Sequence, residues 1–301
     1  MNSIAAVVVG YNPDIKILSD LLASLVQQVE FLVLVDNGGS ESYLEENPEL
    51  RRRVRYIVLN GNEGLGAALN VGFKFSIDAG MRHVVTFDQD SHAAPDLISR
   101  LHQAMQHATH KDPQCIAVSP VFFDRREGKK INFPFYSSVD NKIKPVFTSD
   151  DEHGLVEADA LITSGMFVNT RAWVEGIRYD EGMFVDFTDT EWCFRVRGRG
   201  YSLYGCLNVE MGHALSDAPP VKFFDLSFFR YSPIRRYFFF RNTVAVCRMS
   251  HTPACWKKRM LCALVLRFLV NLLIDKQKLL SLKMMLRGIC HGWQKKLGGV
   301  R

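Results

Sequence analysis

Two carboxylates stand two residues apart at the end of an apolar run, in Val84-Val85-Thr86-Phe87-Asp88-Gln89-Asp90-Ser91. A run of that composition forms a buried strand. Residues i and i+2 of extended backbone point the same way, so Asp88 and Asp90 can face one ligand together. Two close carboxylates repel unless a cation lies between them. Their hard oxygens suit Mg²⁺ or Mn²⁺, and either ion can hold a diphosphate. Solvated turns use the same residues, so the neighbouring motifs decide between the two readings.

A second acidic stretch is Phe184-Val185-Asp186-Phe187-Thr188-Asp189-Thr190-Glu191-Trp192-Cys193-Phe194-Arg195. Asp186, Asp189 and Glu191 fall within six residues, between apolar neighbours. As a plain helix start, acids there meet the positive end of the helix dipole. As chemistry, a carboxylate within hydrogen-bond reach of a hydroxyl takes its proton and makes it a nucleophile. Asp186 reads either as a pocket residue or as a structural partner.

Those acids need a scaffold. Residues 4–9 are β-branched and Ala-rich and end at Gly10-Tyr11-Asn12-Pro13. Residues 14–29 carry Ile17, Leu18, Leu21, Leu22 and Leu25 at helical spacing. Strands are expected over 31–35, 56–59 and 84–87, with a helix over 66–80. Strand and helix alternate to about residue 108. That alternation defines an α/β fold, with a Rossmann-like, mostly parallel sheet flanked by helices. Three strand ends carry polar turns: Asp36-Asn37-Gly38, Asn62-Glu63-Gly64 and Asp88-Gln89-Asp90. All three fall on one edge of a parallel sheet, where nucleotides bind. No phosphate-loop or Gly-x-Gly-x-x-Gly fingerprint occurs, which disfavours an ATPase or a classical dehydrogenase.

Further strands are expected over 115–123, 155–161 and 201–209. Residues 125–130 read as a charged loop. Residues 132–152 are polar and Pro-punctuated without a clear period, as an insertion on the acceptor side would be.

The chain has 301 residues, 47% hydrophobic and 23% charged, ample for a core. Its seven cysteines are scattered without a Cys-x-x-Cys pair, which disfavours a zinc site. They suit reduced thiols in a cytosolic compartment. The first apolar run is too short for a signal peptide, so the protein is expected inside the cell. Charge is uneven. Residues 222–301 carry 17 Lys and Arg against Asp225 and Asp275 alone, whereas residues 1–221 carry 20 against 30 acids. No nucleic-acid motif accompanies that basic end, so an anionic membrane surface is the expected partner.

Taken as an ordered set, these motifs resemble the inverting glycosyltransferases of family 2, with the GT-A fold. They run Tyr11-Asn12-Pro13, Asp36-Asn37-Gly38-Gly39-Ser40, Asn62-Glu63-Gly64-Leu65-Gly66-Ala67-Ala68-Leu69-Asn70 and Asp88-Gln89-Asp90. The chain is similar in particular to bacterial rhamnosyltransferases that use dTDP-L-rhamnose. The resemblance spans residues 4–245 or so. It implies that Tyr11 and Asp36 contact the nucleobase and ribose. It implies that Asn62, Gly64 and Asn70 border the donor pocket, with Asp88 on the donor and Asp90 on the metal. Asp189 falls on the family's general base and Glu191 on its second acid, with Thr188 replacing the first acid of the usual pair. On the acceptor side the resemblance implicates Gly165, Glu191 and Trp192, with Asp186 beside them. His213 matches a histidine that meets metal or diphosphate. Arg236 or Arg241 falls in an Arg-Tyr…Arg-Asn element expected to meet phosphate. These aromatic-flanked arginines equally suit a membrane interface.

Residues 257–296 read as two basic amphipathic helices. Leu261, Leu264, Val265, Phe268 and Leu272 form one apolar face, and Leu282, Met285, Leu286, Ile289 and Trp293 the other. The apolar run 260–274 contains Arg267 and is short of the ~20 residues a span needs. The chain thus divides into a catalytic domain, residues 1–250, and a tail, residues 251–301. The tail would lie in the membrane interface, or pack on the catalytic domain or a second subunit.

The expected protein is a Mg²⁺- or Mn²⁺-dependent inverting glycosyltransferase on the inner face of the cell membrane. It would move L-rhamnose to a polyprenyl-diphosphate-linked saccharide in O-antigen assembly. A donor such as a UDP-hexose, or a non-catalytic nucleotide-binding adaptor, are the alternatives.

Overall fold

The computed structural model describes residues 3–39, 47–124, 131–212, 221–223, 226–228, 231–275 and 277–299. The chain opens with β1 (Ile4–Gly10), α1 (Ile15–Leu25), β2 (Phe31–Asp36), α2 (Pro48–Arg53), β3 (Val54–Val58), α3 (Leu65–Asp78), β4 (His83–Asp88) and α4 (Leu97–Lys111). There follow β5 (Cys115–Asp124), β6 (Ile131–Asn132), β7 (Phe135–Val139), β8 (Lys142–Val146), β9 (Leu155–Glu157), β10 (Met166–Asn169), α5 (Arg171–Val174) and α6 (Thr188–Gly198). The last part holds β11 (Ser202–Gly212), β12 (Val221–Phe223), β13 (Leu226–Phe228), α7 (Pro233–Cys247), α8 (Ala254–Ile274) and α9 (Lys278–Trp293).

The main sheet runs in the order β3-β2-β1-β4-β10-β5-β11-β9, with β6 on the end of β5. β1 pairs in parallel with β2 and β4, and β2 with β3. β10 is antiparallel to both β4 and β5, which leaves β5 and its parallel partner β11 pointing the same way as β4. The sheet is therefore mostly parallel and GT-A-like, as expected. Helices cover both faces. Ala6 and Val8 of β1 pack with Leu18 and Leu22 of α1, while Val7 and Val9 pack with Leu69 and Phe73 of α3. A strand buried on both faces has no polar side to show, which is why β1 reads as one apolar run.

The carboxyl ends of β1 to β4 share one edge, and the polar turns follow there. Each turn has a local reason. Asp14 caps α1 by accepting from the amides of Lys16 and Ile17. Gly64 starts α3 at φ +92°, and a Cβ there would meet Phe184 at 2.7 Å. Only glycine fits that backbone and that contact.

Two expectations change. The stretch 132–152 is not aperiodic: it holds the β7–β8 hairpin, joined at Asp140 and Asn141 with φ of 50° and 59°. Two consecutive positive φ values make a type I′ turn. The expected strand 155–161 is shorter, ending at Glu157. The charged loop 125–130 lies outside the described residues.

The tail helices pack on the body of the protein. α9 crosses α7 closely: a Cβ on Gly288 would meet the Tyr237 carbonyl oxygen at 2.6 Å, and one on Gly292 would run into the Arg241 carbonyl oxygen. Trp256 of α8 donates to Asp159 Oδ2 at 2.6 Å, and Asn141 of the hairpin accepts from the Cys255 amide. Leu264 and Phe268 turn inward, but Leu261 and Val265 are exposed together with Leu266, Leu269 and Leu273. The apolar residues of α8 thus split between two faces. Among the described residues no helix is long and apolar enough to cross a membrane.

Candidate active site

A cavity of about 860 Å³ opens at the sheet edge. That is the size of a small-ligand site. Tyr11, Asn62, Gly64, Asp88 and Asp90 line one side, and Asp186, Thr188 and Asp189 the other. The two acidic motifs, 100 residues apart in sequence, face one space.

Thr163 holds them in register. The Thr86 hydroxyl of β4 donates to the Thr163 carbonyl oxygen at 2.5 Å, and the Gly165 amide donates to Thr86 O at 2.7 Å. Asp189 Oδ2 accepts in turn from the Thr163 amide at 3.1 Å. Asp189 Oδ1 accepts from the Thr190 amide at 2.6 Å and its hydroxyl at 3.2 Å. Burial pushes the Asp189 carboxyl above the usual carboxylate range, against these hydrogen bonds, which favour the charged form. A raised pKa on a carboxylate in a cavity suits a general base.

Asp90 lines the cavity and makes no hydrogen bond or ion pair with the described residues. Its oxygens are open to a cation. Between the two acids, Gln89 clamps the loop after β1: Gln89 Oε1 accepts from the Tyr11 amide at 2.6 Å, and its Nε2 donates to Tyr11 O at 3.1 Å. Both backbone groups of Tyr11 are thereby fixed, while its ring stays 49% exposed on the cavity wall. Gln89 carried no role in the sequence reading. An amide carries both a donor and an acceptor and no charge, which suits it to bracket a backbone as Gln89 does here. Gln89→Ala should raise the donor KM about tenfold with kcat within twofold, as measured by initial rates against donor concentration. One lost two-point backbone contact of ~1–1.5 kcal/mol gives that size.

The structure moves other expected residues off the cavity. Asp36 is buried and accepts from the Gly38 amide at 2.6 Å and the Tyr56 hydroxyl at 2.5 Å. It shapes the turn, and its neighbour Asn37 lines the cavity instead. Asn70 brackets Tyr179, donating to its carbonyl oxygen and accepting from its amide, both at 3.0 Å. Gly165 is buried against Pro120 and Met211, and the cavity residue of that turn is Thr163. Trp192 is wholly buried among Trp173 and Tyr179 and donates to Ile177 O at 3.0 Å. His213 lies outside the described residues, and no cluster of three metal-binding side chains occurs among them.

Glu191 is also structural. It is 1% exposed, with Arg195 Nε at 2.8 Å and His251 Nε2 at 2.9 Å. Burial pushes its carboxyl up, yet hydrogen bonds from His251 and Arg195 outweigh burial and hold it below the usual range. Glu191→Ala should cost about 3 kcal/mol of stability, because Arg195 and His251 lose a buried partner. Chemical denaturation reads that loss, and donor affinity should stay unchanged.

Arg236 and Arg241 face away from the cavity as well. Arg236 pairs with Asp275 and Ser281 and so joins α7 to the start of α9. Arg241 is 1% exposed and donates to the carbonyl oxygens of Gly182, at 2.9 Å, Met183, at 3.0 Å, and Gly298. Asn242 donates to Met183 O, Val185 O and Asp186 O at 2.7 to 2.8 Å. These two side chains hold the wall 182–187, in which Phe184, Asp186 and Phe187 have φ of 64°, 35° and 70°. Such backbone costs ~1–3 kcal/mol per residue and persists only where neighbours enforce it. The cavity cation of this helix is Arg235, 3.4 Å from Asp186.

A Rossmann-like sheet with a diacid at the end of β4 and a carboxylate facing it across a cavity is the architecture of GT-A enzymes. The chain belongs to glycosyl transferase family 2, whose sequence profile matches residues 5–167. It is 31% identical to the dTDP-rhamnosyl transferase RfbF of Shigella flexneri over 254 residues, 84% of this chain and 83% of that one. It is 23% identical to the low-salt glycan biosynthesis hexosyltransferase Agl10 of Haloferax volcanii, over 99% and 93% of the two chains. Among solved structures it is similar to GalNAc-T7 with UDP, GalNAc and Mn²⁺, at TM-score 0.61 and 15% identity, over 95% of this chain and 54% of that one. It is also similar to S. aureus TarS with UDP-GlcNAc, at TM-score 0.58 and 15% identity, over 97% and 80%. The chain is thus a glycosyltransferase.

Proposed function

We propose that the protein transfers L-rhamnose from dTDP-L-rhamnose to a lipid-linked saccharide, with inversion, in the assembly of a surface polysaccharide such as an O-antigen. One observation supports this reading most: the likeness to a dTDP-rhamnosyl transferase over 84% of the chain.

Asp189 removes the proton of the attacking acceptor hydroxyl as the new C–O bond forms at the anomeric carbon. Its hydrogen bonds to Thr163 and Thr190 fix its orientation. The bond from that carbon to the donor diphosphate breaks on the opposite face, so one displacement inverts the centre. A hydrolase would instead need two carboxylates flanking a glycosidic bond. Asp90, with Asp88 beside it, is the residue to hold Mg²⁺ or Mn²⁺, and its unpartnered oxygens fit a hard cation. Such an ion would neutralise charge on the departing diphosphate. Tyr11, Asn62 and Gly64 face the donor, and Asp186 and Thr188 the acceptor. The basic tail, with Leu266, Leu269 and Leu273 exposed, would seat residues 251–301 on the cytoplasmic face of an anionic membrane.

The test is a donor screen with Mg²⁺ or Mn²⁺ and a lipid-diphosphate saccharide. Transfer from dTDP-L-rhamnose, lost with EDTA, is the expected result. Transfer from a UDP-hexose alone would favour the second reading, which the likeness to a hexosyltransferase supports.

A further inference from the structure

Where the cavity meets the tail, one aromatic ring lies against two guanidinium groups. The Tyr231 ring has Arg235 Cζ at 4.8 Å from its centroid and Arg267 Cζ at 5.3 Å. Tyr231 and Arg235 line the cavity, whereas Arg267 comes from α8. Arg267 also lies over Phe239, at 4.4 Å. Its guanidinium makes no hydrogen bond or ion pair with any described residue. A half-buried guanidinium stacked on rings is fixed in its plane, and its five N–H groups are left to find acceptors. That arrangement suits bidentate recognition of phosphate oxygens.

Two further features lie beside it. Asp186 lines the cavity and has one oxygen, Oδ2, buried without a hydrogen-bond partner. An orphaned carboxylate oxygen there calls for a hydroxyl donor. Burial raises the Asp186 carboxyl, while the positive charges of Arg235 and Arg267 oppose that rise, which places both cations close to it. Leu266, next to Arg267 in the same helix, is 43% exposed. An acceptor for hydroxyl hydrogens, a cation for phosphate and an exposed apolar side chain therefore lie close together. A saccharide, a diphosphate and a hydrocarbon chain joined in one molecule present the complementary groups.

We propose that Arg267, stacked on Tyr231 and Phe239 beside Arg235, is the subsite for the diphosphate of a lipid-linked saccharide. The proposal rests on the transfer reaction proposed above, and it assigns a part of the tail to substrate recognition. It can be tested by binding alone. Titration calorimetry of the full chain saturated with dTDP would use farnesyl diphosphate as probe, with pyrophosphate and farnesol as controls. Farnesyl diphosphate should bind the wild type with dTDP in place, and Arg267→Ala should weaken it at least tenfold. Arg267→Lys should recover only part of the loss, because an ammonium lacks the planar fork. Pyrophosphate should bind at least tenfold more weakly than farnesyl diphosphate, and the affinity for dTDP should be the same in both variants as in the wild type. The proposal is overturned if Arg267→Ala binds farnesyl diphosphate as the wild type does. It is equally overturned if bound dTDP excludes the probe, or if pyrophosphate binds as tightly. Arg267-dependent binding in a chain that transfers no sugar would sink the proposed reaction and keep the subsite. Sugar transfer with Arg267-independent binding would do the reverse.

Discussion

Asp189→Asn should lower kcat by about 10³-fold, the usual contribution of a positioned general base. An amide keeps the shape of the side chain and can still accept from the Thr163 amide, so the fold and the donor Kd should hold. Titration calorimetry with dTDP checks the second point and initial rates the first. The raised pKa of Asp189 adds a pH signature. A base works deprotonated, so activity is lost as pH falls through its pKa. Because burial raises that pKa, the acid limb of the rate profile should lie above the ~3.9 of an exposed aspartate. In Asp189→Asn the residual rate should lose that limb. A variant that transfers sugar at the wild-type rate would show that another group removes the proton.

Arg241→Ala should be the most damaging change outside the cavity. The guanidinium joins three carbonyl oxygens, from Gly182, Met183 and Gly298, deep in the protein. Its removal takes one donor from each of those oxygens, leaving Asn242 on Met183 O and the Gly298 amide on Gly182 O, and should cost about 3 kcal/mol of unfolding free energy. The wall 182–187 would then lose one of its two braces, Asn242 being the other. Phe184 of that wall accepts from the Leu65 amide at 2.6 Å at the start of α3, and the same segment leads into Asp189. Activity should therefore fall at least tenfold at temperatures where the protein is still folded, with kcat affected more than the donor KM. Chain removed after residue 296 should act in the same direction more weakly, since the Gly298 amide donates to Gly182 O at 2.7 Å. Circular dichroism melts with rates on the same samples separate lost fold from lost alignment. Unchanged kcat in Arg241→Ala would mean the wall holds its shape without it.

Much of this was legible in the residues. The strand ends at Asp36, Asn62 and Asp88 stood out because buried parallel strands leave their polar groups in the turns. The resemblance of 184–195 to the family's acidic motif singled out Asp189 among three acids, and Asp189 lines the cavity. Burial was not legible there. Glu191 and Trp192 share the helix with Asp189, but α6 is polar and apolar on all sides, so no periodic stripe marks which face is inside. The same holds for α7, where aromatics on every side conceal that Arg235 faces the cavity while Arg236 and Arg241 brace the interior. The β7–β8 hairpin was missed because its strands alternate weakly, although Asp140-Asn141 is a turn pair that tolerates positive φ. Tail packing was hidden for a related reason. Gly288 and Gly292 sit four apart on α9, and small residues at that spacing record a close helix crossing that hydrophobic patterning cannot show.

A single displacement at the anomeric carbon, with Asp189 as base, fixes the stereochemistry of the product. The most direct measurement is the anomeric configuration of the transferred sugar, read by NMR on product made from dTDP-L-rhamnose and a lipid-diphosphate saccharide. One transferred rhamnose with configuration opposite to that in the donor is the expected result. Retained configuration, or release of free rhamnose without transfer, would contradict it.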